Sequence, residues 1–172
     1  MRNPQDPGAA PLLRPSLEDM DLATALEQEH HRIDDGIEAF LDTGDRSRLR
    51  EATEALRRHI YLEEVLVFPP LRDAGMMAPV FVMLREHGEM WRVLDRMDAT
   101  DAVDELRSAS DELVPMLQAH NGKEEPILYP QVDAVLDDEL AATLREFLAS
   151  GSMPHGWVCE RVAGGPGGLP FG

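Results

Sequence analysis

The chain has one cysteine, Cys159, in 172 residues. No internal disulfide can form, and the composition suits a reducing cytoplasm. Cations are scarce as well: 16 Lys and Arg face 33 Asp and Glu, giving a formal charge of −17 and an isoelectric point near 4.6. A phosphate backbone demands a basic footprint, so this balance argues against nucleic acid, and 5% aromatic residues leaves little for base stacking. No apolar run approaches the ~18 residues of a membrane span, and the opening, with prolines at 4, 7, 11 and 15, has no apolar stretch of export-signal length. A cytoplasmic protein with no membrane partner is expected.

What is present points to helices. Hydrophobic residues make up 43%, and a chain of this length buries roughly two-thirds of its unfolded surface, enough for one domain without staples. Residues 17–150 have almost no β-branched alternation and are rich in Leu, Ala, Glu, Arg and Met, the strong helix formers. The flanks differ. Residues 1–16 are Pro- and Gly-rich, and residues 151–172 hold seven Gly and three Pro, so both ends are expected to be flexible segments around one domain.

Breakers at Thr43-Gly44-Asp45, Phe68-Pro69-Pro70 through Gly75, Ala99-Thr100-Asp101 and Tyr129-Pro130 divide the domain into four long helices and a short fifth. The first, over residues 16–41 with Ser16 as cap, carries Leu22, Leu26, Ile33, Ile37 and Phe40 on one stripe, with His30 among them. The second, over 46–68, carries Leu49, Ala52, Leu56, His59, Glu63 and Leu66. The third starts near residue 78 with Pro79 in its first turn and carries Val80, Leu84, His87, Trp91 and Leu94. The fourth follows Asp101 and carries Leu106, Leu113, Leu117, His120, Glu124 and Leu128, with a kink expected at Pro115. Asp137 or Asp138 caps the fifth, which ends near residue 149.

An internal repeat carries the chemistry. The run from His59 through Glu63-Glu64 to Phe68-Pro69 matches the run from His120 through Glu124-Glu125 to Tyr129-Pro130, and Glu29-His30 matches Glu86-His87. In H-x-x-x-E the two side chains stack on one helical face about 6 Å apart, so an imidazole can hold one metal while the carboxylate reaches a second. Two such helices, with His30 and His87 from the others, aim four imidazoles and two carboxylates into one core. Nitrogen and oxygen donors without thiolates favour first-row transition metals over Ca or Mg and over a structural zinc site, and iron or manganese suits bridging carboxylates best. Buried Glu63 and Glu124 have no Lys or Arg on their own faces, and leaving two carboxylates uncompensated costs several kcal/mol each. His31, Glu64 and Glu125 are rotated about 100° from the ligand positions, which places His31 at the surface and the two glutamates outside the inner ligand set.

This order of motifs resembles the hemerythrin-like family of HHE cation-binding domains over about residues 17–150. The resemblance implies an all-α, up-down-up-down four-helix bundle around two iron ions bridged by an oxo or hydroxo group, with manganese or zinc fitting less well. Its ligands would fall on His30, His59, Glu63, His87, His120 and Glu124. Oxygen-carrying members have a second histidine one turn after the first on the third helix, where this chain has Trp91, so the match is to the four-His subgroup. A more open iron pair implies turnover of dioxygen, hydrogen peroxide or nitric oxide, with an unidentified reductant, rather than reversible carriage. The rival readings are a sensing or binding module and an iron-holding bundle. A ferritin-like site would need Glu-x-x-His on two helices, but Leu56 and Leu117 stand three before His59 and His120.

Other residues read as packing or surface. Met83, Met90 and Met97, seven apart, fill the core, Asp34 is the weakest ligand candidate, and Tyr61 points away from the metals. Gly122 costs about 1 kcal/mol of helix propensity and leaves room beside the site. In the tail, His155 and Cys159 do not make a metal site, although Trp157 offers an anchor for docking.

Overall fold

The computed structural model describes residues 20–163, and no strand occurs among them. Helix α1 (Leu22–Thr43) begins where the Asp21 carboxylate accepts from the Thr24 N–H, while Ser16, the expected cap, lies outside the described residues. Asp133 adds a second carboxylate there, accepting from the Leu22 and Ala23 N–H groups at 3.0 and 3.2 Å. Gly44, at φ 75°, closes α1, and Asp45 opens α2 (Arg46–Leu62) by accepting from the Ser47 N–H.

The Phe68-Pro69-Pro70 breaker does not end the second helix. It widens into one π turn over Glu63–Val67, with the Phe68 N–H donating to the Glu63 carbonyl, and continues as α3 (Phe68–Asp73). Proline has no N–H and crowds the carbonyl four residues back, and the wider turn, followed by prolines at the start of a new helix, relieves both problems. Tyr129-Pro130 likewise opens α6 (Tyr129–Val135) rather than a loop. Between them lie α4 (Met77–Asp98) and α5 (Val103–Ile127), and α5 runs unbroken through Pro115 and Pro126. Helix α7 (Asp138–Ser150) is capped by Asp137, as its sequence suggests.

Helices α1, α2, α4 and α5 form a four-helix bundle in which α1 packs on α2 and α5, and α4 packs on α5 and α2. Two apolar cores fill it. One includes Leu26, Leu62, Leu84 and Leu128, and the other includes Ile33, Ile60, Met90 and Leu117. Along each helix the polar ligands fall between a residue of one core and a residue of the other, so the site is a buried polar layer held from both sides. Met83, Met90 and Met97 are all core residues. No helix among the described residues is long and apolar enough to cross a membrane.

The tail departs from the flexible expectation as far as residue 163. Trp157 sits between Tyr61 and Trp91, with ring centroids 5.1 and 5.5 Å away, and Cys159 is fully buried. A short helix α8 (Glu160–Ala163) then lies on α4, where a Cβ on Gly88 would come within 2.6 Å of the Arg161 Cβ. Apolar burial of Trp157, Met153, Val158 and Val162 against the second core offsets the ordering entropy that the Gly and Pro content raises.

Candidate metal centre

Each of the four bundle helices delivers one histidine to the polar layer, and α5 with the π turn after α2 delivers two glutamates. His30, His59, Glu63, His87, His120 and Glu124 are all buried, with both carboxylates wholly inaccessible. Two overlapping groups result, His30–His59–Glu63–Glu124 and Glu63–His87–His120–Glu124, each with its ligand-type atoms within 4.8 Å of one another. Both glutamates belong to both groups. Glu63 Oε1 lies 3.2 Å from His59 Nε2 while its Oε2 lies 3.2 Å from His87 Nε2, and Glu124 Oε2 lies 2.9 Å from His120 Nε2 and 3.6 Å from His30 Nε2.

The outward ring nitrogens follow the same pseudo-twofold pattern. His30 Nδ1 meets Glu125 Oε1 at 2.9 Å, and His87 Nδ1 meets Glu64 Oε1 at 2.9 Å. His120 Nδ1 meets Glu86 Oε2 at 3.1 Å, while His59 Nδ1 stands 3.8 Å from Glu29 Oε2. His30, His87 and His120 therefore each have a hydrogen-bonded carboxylate behind them, which fixes ring orientation and turns Nε2 inward, while Glu29 stands behind His59 without a hydrogen bond. Outer cations anchor those carboxylates in turn: Arg58 Nη1 donates to Glu29 Oε2 at 2.7 Å, and Lys123 Nζ pairs with Glu86 Oε1.

Two features escaped the reading of the sequence. Glu29 and Glu86 stood in the repeat beside His30 and His87, but their backing role became visible only when the helices were packed together. Tyr129 stood there as the aromatic of its motif, yet its hydroxyl donates to Glu63 Oε1 at 2.7 Å inside the cluster.

The other sequence candidates lie elsewhere. Asp34 faces Asn121 Nδ2 at 3.4 Å, outside both groups. The Trp91 ring packs against Trp157 and under the Arg57 guanidinium, 4.4 Å from its centroid, so it faces the seam where the tail docks. His155 is exposed and Cys159 buried, with burial pushing the thiol up to about 12.

Electrostatics match a site built to exchange protons for cations. Burial opposes charge on His59 and His120, but Glu63 and Glu29 beside the first, and Glu124 and Glu86 beside the second, outweigh it and raise both to about 10. Burial and the neighbouring His59 charge push His30 down to about 4. Burial also raises Glu124, reinforced by the Glu63 charge, whereas Glu63 is held well below its ordinary value because His59 and His87 overcome its burial. Four buried atoms of these six residues have no hydrogen-bond partner: His59 Nδ1, which faces outward, and three that face the groups' centres, Glu63 Oε2, His87 Nε2 and Glu124 Oε1. Unpaired buried polar atoms are rare, and cations at the centres of the two groups would satisfy the three that face inward. The residues present thus fit a pair of metal ions sharing two carboxylates.

Nothing matches the chain significantly among curated proteins or among solved structures. The family model described as the hemerythrin HHE cation binding domain matches residues 21–132. That span holds all six inner residues, all four carboxylates behind them and Tyr129, and the chain belongs to this metal-binding family.

Proposed function

We propose that this chain is a non-haem di-iron protein that binds and reacts with a small ligand, dioxygen, hydrogen peroxide or nitric oxide, in a redox or detoxifying role. The observation that carries the reading is the sharing of Glu63 and Glu124 between the two groups. With both carboxylates common, six side chains serve two ions, and first-row ions that prefer higher coordination keep positions for an outside ligand. When bound, such a pair supplies Lewis acidity and one-electron redox steps.

The protein's own part is to hold, neutralise and dry the site. Glu125, Glu64 and Glu86 orient His30, His87 and His120, Glu29 places its charge behind His59, and the two apolar cores exclude water above and below the imidazoles. A groove of about 300 Å³ between α4 and α5, lined by Pro79, Val82, Met83, Ile127 and Leu128, is almost wholly apolar and suits small uncharged ligands. Met83 and Lys123 place it about one turn from His87 and His120. The lone buried cysteine is consistent with a cytoplasmic setting, and the charge of −17 with no nucleic-acid partner.

A second reading, a sensing or binding module, is favoured by one contact. The Glu160 N–H donates to Glu64 Oε2, and Glu64 also backs His87, so a change at the metals can reach the tail. Stopped-flow spectra of the reduced, iron-loaded protein mixed separately with oxygen, peroxide and nitric oxide separate the readings. Sustained consumption of one of them supports the reactive role, reversible spectral change without consumption supports the module, and inertness toward all three overturns both.

A further inference from the structure

At one matched position the two halves of the site differ in the chemistry they offer a metal. In the repeat, Phe68 and Tyr129 occupy the same position, and each ring stacks on the histidine of the opposite repeat. Phe68 lies 5.4 Å from His87 at 17°, and Tyr129 lies 5.3 Å from His30 at 29°. Only Tyr129 has a hydroxyl, and that oxygen is surrounded by inner-site atoms: Glu63 Oε1 at 2.7 Å, His30 Nε2 at 2.9 Å, His59 Nε2 at 3.1 Å and Glu124 Oε2 at 3.4 Å.

His30 Nε2 and His59 Nε2 are themselves 3.0 Å apart. Neighbouring donors around a first-row ion, with bonds of about 2.1 Å, stand about 3 Å apart, so the hydroxyl oxygen keeps the spacing of one more donor in the same shell. The tyrosine ring is fully buried, so bulk solvent does not reach its hydroxyl. Phe68 offers the His87–His120 half no polar atom.

On the di-metal reading proposed above, we infer that the Tyr129 oxygen is a further protein donor to the metal held by His30 and His59, and that the two metal positions are therefore unequal. The His30–His59 position has five protein side chains and the His87–His120 position four. The more open position, where an outside ligand enters, is the one between His87 and His120, on the side of the apolar groove. Metal entry displaces the Tyr129 hydroxyl proton to solvent water, as it displaces protons from the imidazoles.

The test uses the full chain, loaded with ferrous iron without oxygen and then oxidised with ferricyanide. The chain has two tyrosines, and Tyr61 packs on Phe147 and Trp157 away from the site. The wild type should show a visible phenolate-to-iron absorption with resonance-enhanced tyrosine ring modes in the Raman spectrum. Tyr61→Phe should keep both signals. Tyr129→Phe should lose them and bind one of its two irons about 10- to 100-fold more weakly. Phe68→Tyr, which adds a hydroxyl at the matching position, should strengthen the absorption.

Two irons bound by the wild type without phenolate modes, or modes that survive Tyr129→Phe, would overturn the inference while leaving the di-metal reading intact. A wild type that takes up no iron overturns both. The wild-type spectrum decides the question even if Tyr129→Phe fails to fold.

Discussion

The backbone N–H of Glu160 donates to Glu64 Oε2 at 2.8 Å, and the other oxygen of that carboxylate lies 2.9 Å from His87 Nδ1. Its counterpart across the pseudo-twofold axis, Glu125, backs His30 with 31% of its side chain exposed, against 5% for Glu64. The docked tail thus covers one of the two matching carboxylates.

Gly88 is the seat of that contact, because any Cβ there would press within 2.6 Å of the Arg161 Cβ, close to the backbone and unable to swing away. Gly88→Ala should therefore lift α8 from α4 and cost about 1–3 kcal/mol. Limited proteolysis should cut the variant within residues 151–163 faster than the wild type. Equal cutting rates and an unchanged melt would mean that the tail is not held there.

Replacing the backing carboxylates tests the orientation of the imidazoles. Glu64→Gln and Glu125→Gln each keep the side-chain shape and lose the charge behind one histidine, and each should weaken iron binding by about 10- to 100-fold with the fold intact. Affinities measured by competition with a ferrous chelator would show it. Wild-type affinity in both variants would mean that the histidines hold their orientation without these carboxylates.

Trp91→His should act on stability rather than on the metals. The indole fills the second core, packs on Trp157 and lies under Arg57, so its loss should cost about 2–4 kcal/mol. The iron spectrum should stay that of the wild type. A changed spectrum would show that residue 91 reaches the ions, as one-turn spacing from His87 alone suggests.

The metal-free protein should lose stability as pH rises from 7 to 10. His59 and His120 are raised from 6.5 to about 10 in the fold, so their contribution is complete below pH 6.5 and disappears as pH climbs through 10. His30, lowered to about 4, acts in the opposite direction and only below pH 6.5. Iron competes with those same protons, so its affinity should rise over the range in which the metal-free melt falls. Thermal melts of chelated and loaded protein at pH 7, 8 and 9 should diverge with pH, and parallel curves would contradict the protonation scheme.

The grouping of the six inner side chains was legible because its signals are local. H-x-x-x-E fixes two side chains on one helical face, and a buried Glu63 or Glu124 without a cation on its stripe points to a metal. The Glu29, Glu86 and Tyr129 contacts cross between helices, and nothing in helical spacing says which neighbour a side chain one step off the apolar stripe will meet. Pro69, Pro70 and Pro130 were read as stops because proline cannot continue an α-helix, but a π turn and fresh helix starts let the chain carry on. In the tail, Gly and Pro content outweighed Trp157 in the reading of the sequence, while in the fold that ring packs with Met153, Val158 and Val162 against the second core.

The central claim is that Glu63 and Glu124 are shared by two metal ions. Metal analysis of the protein after anaerobic iron loading and desalting tests it most directly, with a thermal melt of the same sample. Two irons per chain are predicted, one for each overlapping group, with near-ultraviolet charge-transfer absorption after oxidation and a melting temperature well above that of the chelated protein. A single tightly held zinc, or no retained metal and an unchanged melt, would contradict the account.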